Sequence, residues 1–100
     1  MKPCDMERVI DRKRYSTKAA TQLSGDDYWD GHNFERSGRN TFLYRTAKGR
    51  YFTQHLTSWE DESDTLAPCT IDEAVTLFEN MREKRVSYEE AFPGLMIEEA

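Results

Sequence analysis

The stretch NTFLYRTAKGRYFTQHL, residues 40–56, carries the strongest structural signal in this 100-residue chain. Two runs rich in β-branched and aromatic residues, 41–45 and 50–56, flank the segment TAKG. Such side chains favour strands, and Gly49 can adopt the positive φ that a short hairpin loop usually requires. The stretch therefore predicts a β-hairpin.

Both faces of this predicted hairpin carry aromatic side chains, because successive residues of a strand point to opposite faces. In the first strand, Phe42 and Tyr44 share the face opposite Leu43. In the second strand the two faces carry, respectively, Phe52, Gln54 and Leu56, and Tyr51, Thr53 and His55. We expect a helix to cover one face and the loop at residues 26–40 to cover part of the other.

The residues before this hairpin predict two smaller elements. ERVIDRKRYS, residues 7–16, predicts a second hairpin that turns at Asp11 and Arg12. STKAATQL, residues 16–23, begins with two N-cap hydroxyls, continues with helix formers and precedes Gly25, a helix stop. This pattern predicts a short N-terminal helix.

The residues after the central hairpin predict a loop and then a longer helix. TSWEDESDTLAPC, residues 57–69, is acidic and irregular, which is typical of a surface loop. TIDEAVTLFENMREKR, residues 70–85, predicts a helix with Thr70 as N-cap and Glu73 as its capping-box partner. The apolar stripe expected to cover the sheet consists of Ile71, Ala74, Val75, Phe78 and Met81.

The end of the chain completes an α+β pattern. Arg82, Lys84 and Arg85 are expected in the last turn of the longer helix, and SYEEAF, residues 87–92, predicts a further helical turn. The order of elements predicts a small antiparallel sheet built from hairpins, with a short N-terminal helix and a longer C-terminal helix packed on it.

Length and composition indicate one domain over residues 1–100, with frayed termini at 1–6 and 95–100. The aromatic content of 12% argues against disorder, although 33% of residues are charged. No apolar run approaches the ~18 residues that a membrane span requires, and the N-terminus lacks the apolar core of a secretory signal. We therefore expect a cytoplasmic protein with no membrane partner.

The sequence predicts no metal site and no cofactor. Cys4 and Cys69 belong to no CxxC pair, so they are expected as free thiols, and whether they lie close in space is left open. The segment DDYWDGHNFERSGRN, residues 26–40, partly matches a calcium loop. Tyr28 and Ser37, however, stand where that loop requires Asp or Asn and a bidentate Glu.

Charge is divided unevenly along the chain. Residues 1–55 contain 11 Lys and Arg against 7 Asp and Glu, a charge of +4, whereas residues 56–100 contain 3 against 12, a charge of −9. The two portions can compensate each other inside the fold or leave a surface dipole that steers partners.

The leading functional hypothesis is a non-catalytic protein that binds another macromolecule, most readily a protein, as an inhibitor or accessory factor. A tryptophan surrounded by charge is a plausible interface anchor. The expected binding residues are Trp29, His32, Arg36, Arg39, Trp59, Glu60, Asp61 and Glu62. Self-association through an uncovered hairpin edge, giving a homodimer, is a further hypothesis.

The alternative hypothesis is a small metal-independent RNase-like toxin or a nucleic-acid-binding protein. Such an enzyme needs a general base, a general acid and a cation, and the residues of these types are His32, Glu35, Arg39 and His55. Basic residues near aromatic ones could bind phosphates and bases, but a pI near 5.0 argues against a dominant basic footprint.

The motif RKRYSTKAA, residues 12–20, resembles the N-terminal Lys-Arg-Tyr-Asp-Thr-Glu-Thr-Ala motif of a group of small uncharacterised bacterial and mobile-element proteins. The match is carried by Lys13, Arg14, Tyr15, Thr17 and either Ala19 or Ala20, while Ser16 replaces the usual Asp and Arg12 the usual Gly. The resemblance extends in order through most of the chain. It implies an origin in a phage, plasmid or genomic island, and it implies no activity.

Overall fold

The computed structural model of the protein describes residues 2–26 and 38–100. Within these ranges the elements, in chain order, are β1 Glu7–Ile10, β2 Lys13–Ser16, β3 Thr21–Gly25, β4 Arg39–Arg45, β5 Tyr51–Thr57, β6 Thr65–Cys69, α1 Ile71–Asn80, β7 Glu83–Lys84 and α2 Tyr88–Ala91. Strands β1 and β2 form a separate hairpin, and the other strands form one antiparallel sheet in the order β6-β5-β4-β3-β7. The α+β class is therefore confirmed.

The central hairpin predicted from residues 40–56 is confirmed as β4 and β5, with Phe42 opposite Gln54. Gly49 adopts a φ of +85°, and its amide donates to the Thr46 carbonyl at 2.9 Å, which closes the loop. Both edges of this central hairpin are covered by neighbouring strands. Strand β3 pairs with β4 and strand β6 pairs with β5, so both hairpin strands lie inside the sheet.

The helices cover one face of the sheet, as predicted. Leu43 and Tyr51 on this face pack with Phe78 of α1 and with Phe92, and all four side chains are buried. The Tyr51 hydroxyl also donates to the Ala91 carbonyl at 2.7 Å, which satisfies the polar end of a buried ring. This hydrogen bond connects the last residue of α2 to the first residue of β5.

The N-terminal hairpin packs against the opposite face of the sheet. Its Tyr15 meets Phe52 edge to face, with ring centroids 5.4 Å apart, and Tyr44 stacks on Phe52 at 5.1 Å. Phe42, Leu56 and Leu66 complete the buried side chains of this second core. The hairpin prediction for residues 7–16 is thus confirmed, and it provides the cover on this face. The loop expected to cover it falls mostly on residues 27–37, outside the described residues.

The short N-terminal helix predicted over residues 16–23 is wrong. Residues 17–20 form a turn, and Thr21–Gly25 form strand β3, which pairs with both β4 and β7. A helix of two turns has too few hydrogen bonds to offset the cost of nucleation. Pairing with two neighbours buries Leu23 and Ser24 instead, so tertiary contacts override the local helix signal.

The acidic segment expected to be a loop throughout residues 57–69 contains a strand. Thr65–Cys69 form β6 at one edge of the sheet and bury Leu66. Pro68 lies opposite Phe52 within this strand, a position that an edge strand tolerates because its outer backbone groups need no ladder partner. The remaining loop, residues 58–64, connects β5 to β6.

The N-cap of α1 is confirmed, but its predicted end is wrong. The Thr70 side chain accepts from the Glu73 amide at 3.1 Å, and the Glu73 carboxylate accepts from the Thr70 amide at 2.8 Å. The helix ends at Asn80, so its last turn carries no basic residue. The expected cations lie beyond it because the chain there returns to the sheet as β7. Ile71, expected in the buried stripe, is 48% exposed.

The second helix, α2, is confirmed, and its Ser87 N-cap forms another capping box. No helix among the described residues is long and apolar enough to span a membrane. Residues 95–100 are exposed.

Near the other terminus, the Thr17 hydroxyl accepts from the Met6 amide at 2.9 Å, and the buried Gln54 side chain donates to the Cys4 carbonyl at 2.8 Å.

Candidate functional site

The candidate site lies where β4 begins and β5 ends, at the loop that leads into β6. We call it the Trp59 surface; it consists of Arg39, Trp59, Glu60, Asp61 and Glu62. All five residues are exposed. Arg39 is contributed by β4 and the others by the β5–β6 loop, so the sheet register, which places Arg39 opposite Thr57, brings the two segments together.

Hydrogen bonds hold the β5–β6 loop at both ends. The Thr57 amide donates to the Asp64 carboxylate at 2.9 Å, which closes the loop across its base. The Ser58 amide donates to the Gly38 carbonyl at 2.9 Å, which anchors the loop to the residue before β4. The Trp59 amide donates to the Thr57 hydroxyl at 3.1 Å. The backbone that carries the tryptophan is therefore positioned by the sheet.

Arg39 and Glu62 form a bidentate ion pair on this surface. The Arg39 Nε donates to Oε1 of Glu62 at 3.0 Å, Nη2 donates to Oε2, and the Thr57 hydroxyl donates to Oε1 at 2.6 Å. These hydrogen bonds, that from Arg39 first and that from Thr57 second, lower the pKa of Glu62. The same pairing raises the pKa of Arg39. Both charges are therefore retained at neutral pH.

The Trp59 side chain is 52% exposed, an unusual state for so large an apolar group. The Arg39 guanidinium carbon lies 5.9 Å from the ring centroid, within range of a cation–π contact. Glu60 and Asp61 follow directly and are exposed. The surface thus combines a positioned aromatic ring with two solvent-facing carboxylates.

Two of the four residues of the alternative catalytic set meet at one depression. Arg39 and His55 both line an open depression of about 480 Å³ beside the Trp59 surface. Each ring nitrogen of His55 has a threonine partner: Nδ1 lies 3.0 Å from the Thr41 hydroxyl and Nε2 lies 3.0 Å from the Thr53 hydroxyl. Arg39 is paired with Glu62. These contacts suit a histidine that stabilises the sheet.

The other predicted site residues have different outcomes. Trp29, His32, Glu35 and Arg36 lie outside the described residues, whereas Arg39, Trp59 and Glu62 are brought into contact. Thr57 was not predicted from the sequence, although its hydroxyl donates to the Glu62 carboxylate and accepts from the Trp59 amide. The signal available was local, since a threonine can hydrogen-bond to a backbone group two residues later.

The cysteines and potential metal ligands occupy separate places. Cys4 is exposed, Cys69 is half-buried, and both are free thiols. Burial, followed by the nearby Glu73 carboxylate, raises the pKa of Cys69 to about 11. In the part of the chain that the structure describes, no three His, Cys, Asp or Glu side chains are grouped as a metal site.

Comparisons of this chain with protein families, with curated proteins and with solved structures found no match. The resemblance carried by Lys13, Arg14, Tyr15 and Thr17 therefore stays a hypothesis. The structure places these residues in β2 and the turn that follows it.

Proposed function

We propose that this protein acts without catalysis by binding another protein through the Trp59 surface, as an inhibitor or accessory factor in the cytoplasm. The observation that carries the proposal is the half-exposed Trp59 ring on a loop fixed by the Gly38, Thr57 and Asp64 hydrogen bonds. Tryptophan is enriched among interface residues that contribute most to affinity. A ring that is already positioned loses less conformational entropy on binding.

The charge around Trp59 indicates the chemistry of the partner. Glu60 and Asp61 face solvent, and Glu62 remains ionised because Arg39 stabilises its carboxylate. A partner surface with an apolar pocket for the ring and basic residues around it complements this arrangement. The flanking charges are exposed, so they contribute to association rate and specificity more than to affinity.

The test is capture of partners from lysate of the native cells with tagged protein, at low and high salt and with or without nuclease. Trp59→Ala is compared with Met96→Ala, which truncates another exposed apolar side chain, 86% exposed, in the C-terminal segment. The charge reversals Glu60→Lys and Asp61→Lys are compared with Glu98→Lys and Glu99→Lys, since all four residues are exposed.

We expect a protein partner that survives nuclease, is lost with Trp59→Ala and is retained with Met96→Ala. Reversal at residues 60 and 61 should weaken capture more than reversal at residues 98 and 99. If a variant and its control lose the captured partner to the same extent, the proposal is contradicted. Retained RNA that disappears with nuclease, together with cleavage activity lost in His55→Ala, instead supports the enzymatic alternative.

A further inference from the structure

A second surface, distant from Trp59, is a groove between the N-terminal hairpin and the loop that joins β4 to β5. The groove has a volume of about 460 Å³, within the ~300–1,000 Å³ of typical ligand sites. Tyr15, Ala19 and Ala20 contribute apolar surface to it. The Trp59 surface lies at the other end of the same two strands. Seven-residue strands separate the two surfaces by roughly 20 Å.

The groove is strongly basic although the chain carries a net charge of −5. Among the described residues, one carboxylate lines the groove, that of Glu7, and the cationic lining residues are Arg12, Lys13, Arg14, Lys48 and Arg50. Arg14 pairs with Glu7 at 3.4 Å, and Lys13 pairs with Asp11 at 3.7 Å. The other three cations form no ion pair with any residue that the structure describes. The uneven charge seen in the sequence therefore persists as a local positive site.

The outer edge of β2 lines this groove, and its outward backbone groups have no backbone partner among residues 2–26 and 38–100. Asp11 and Arg12 form a two-residue turn with φ of 52° and 63°, so the flanking residues Ile10 and Lys13 exchange hydrogen bonds. Hydrogen-bonded and non-hydrogen-bonded pairs alternate along an antiparallel hairpin, so the next hydrogen-bonded pair is Arg8 with Tyr15. The pair after that is Met6 with Thr17, whose amide donates to the Met6 carbonyl at 3.0 Å.

It follows that the amide and carbonyl groups of Arg14 and Ser16 point away from β1. Within the described residues they have no backbone partner. Residues 12–16 all line the groove. If only one face of β2 were turned toward the groove, every second residue would be missing from its lining, so it is the edge of the strand that borders the groove. An edge of this kind is a template for another strand.

We propose that this groove binds an extended acidic peptide segment of a partner protein, which adds as a strand beside β2. The main-chain groups of Arg14 and Ser16 pair with the peptide backbone, as in recognition by strand addition. Lys48 and Arg50 on the opposite wall face its carboxylates, and the apolar floor accommodates its aliphatic side chains. This binding is independent of the Trp59 surface.

A peptide fits the groove better than single-stranded nucleic acid does. Sequence-tolerant binding of single strands relies on exposed aromatic rings on which bases stack. Among the described lining residues the aromatic ring is that of Tyr15, which is 5% exposed because it packs on Phe52. An unpaired strand edge, by contrast, matches the repeat of a peptide backbone.

The test measures the fluorescence anisotropy of labelled probes as the full-length protein is added. The probes are an alternating Glu-Val decapeptide, an alternating Lys-Val decapeptide and a decauridylate. Lys48→Glu is matched by Lys18→Glu, an exposed lysine outside the groove lining. Ser16→Pro, which removes an outward amide at an edge position that tolerates proline, is matched by Ser16→Ala, which keeps the amide. Circular dichroism establishes that each variant is folded.

We expect saturable binding of the Glu-Val peptide that weakens with salt and exceeds binding of the Lys-Val peptide. Lys48→Glu should weaken binding of the Glu-Val peptide roughly fivefold more than Lys18→Glu does, since attraction between Lys48 and the peptide carboxylates becomes repulsion. Folded Ser16→Pro should bind less tightly than Ser16→Ala; if Ser16→Pro does not fold, the lysine pair decides. No saturable binding, equal effects within either matched pair, or a preference for decauridylate overturns the proposal.

Discussion

Arg39 and Glu62, 23 residues apart in sequence, form a two-point ion pair in which both carboxylate oxygens accept hydrogen bonds from one guanidinium. Arg39 belongs to the basic portion of the chain and Glu62 to the acidic portion. The pair also places the guanidinium carbon 5.9 Å from the Trp59 ring centroid. This ion pair therefore brings together opposite charges from the two portions of the chain and also positions Arg39 beside the Trp59 ring.

The Trp59 environment should depend on pH through Glu62. Because its pKa is lowered in the folded state, the ion pair contributes stability above the unfolded pKa and loses it as pH falls through the lower folded value. In a Trp29→Phe background, which leaves Trp59 as the single tryptophan, fluorescence should change with a midpoint below the usual glutamate range. Glu62→Gln should abolish this step. A step that persists in Glu62→Gln assigns the titration to another group.

Gly38→Ala should destabilise the protein more than Gly94→Ala. Both glycines have positive φ, +74° and +85°, which costs a residue with a Cβ about 1–2 kcal/mol. At Gly38 a Cβ would also lie 2.3 Å from the Ser58 hydroxyl oxygen, whereas a Cβ at Gly94 would have no atom of the described residues within 4 Å. Urea unfolding measures the difference. Equal losses indicate that the β5–β6 loop moves aside without penalty.

Arg12→Gly should stabilise the protein by about 0.5–1 kcal/mol. Arg12 has a φ of 63°, a conformation that glycine adopts without steric cost and that a two-residue hairpin turn requires. Arg8→Gly, in the middle of β1, should instead lower the free energy of unfolding. Thermal and urea unfolding test both variants. A loss with Arg12→Gly shows that contacts of the arginine side chain outweigh the backbone strain.

Thr17→Val should cost about 1–2 kcal/mol of folding free energy, because it keeps the side-chain shape and removes a buried hydroxyl. That hydroxyl accepts from the Met6 amide at 2.9 Å and lies 3.1 Å from the Cys4 carbonyl. Thr21→Val, at an exposed strand position, serves as the control and should change stability little. Similar values for both variants argue against a role of residues 4–6 in stability.

The two thiols should differ in reactivity. With iodoacetamide at pH 8, exposed Cys4 should be alkylated well before Cys69, whose pKa of about 11 leaves little thiolate. The rate at Cys69 should rise as pH approaches that value and should match the rate at Cys4 in denaturant. Peptide mapping by mass spectrometry separates the two sites. Equal rates in the native protein contradict the burial of Cys69.

Local signals predicted the elements that depend on neighbours in sequence. The central hairpin follows from its strand formers and Gly49, and the two helix starts follow from the hydroxyls of Thr70 and Ser87. The hairpin loop and both N-caps are closed by hydrogen bonds between residues three or four apart in sequence. For the same reason, the turn at Asp11 and Arg12 could be located from the sequence.

The sequence by itself therefore determined the α+β class, both hairpins and both helix N-caps. Only the tertiary structure decided that Thr21–Gly25 and Thr65–Cys69 are strands, because their hydrogen-bond partners lie far away in the chain. It also decided that Arg39 meets Glu62 and that Lys48 faces the same groove as Arg14. Side chains distant in sequence acquire a shared chemistry only when strand register places them together, and no local propensity encodes that register.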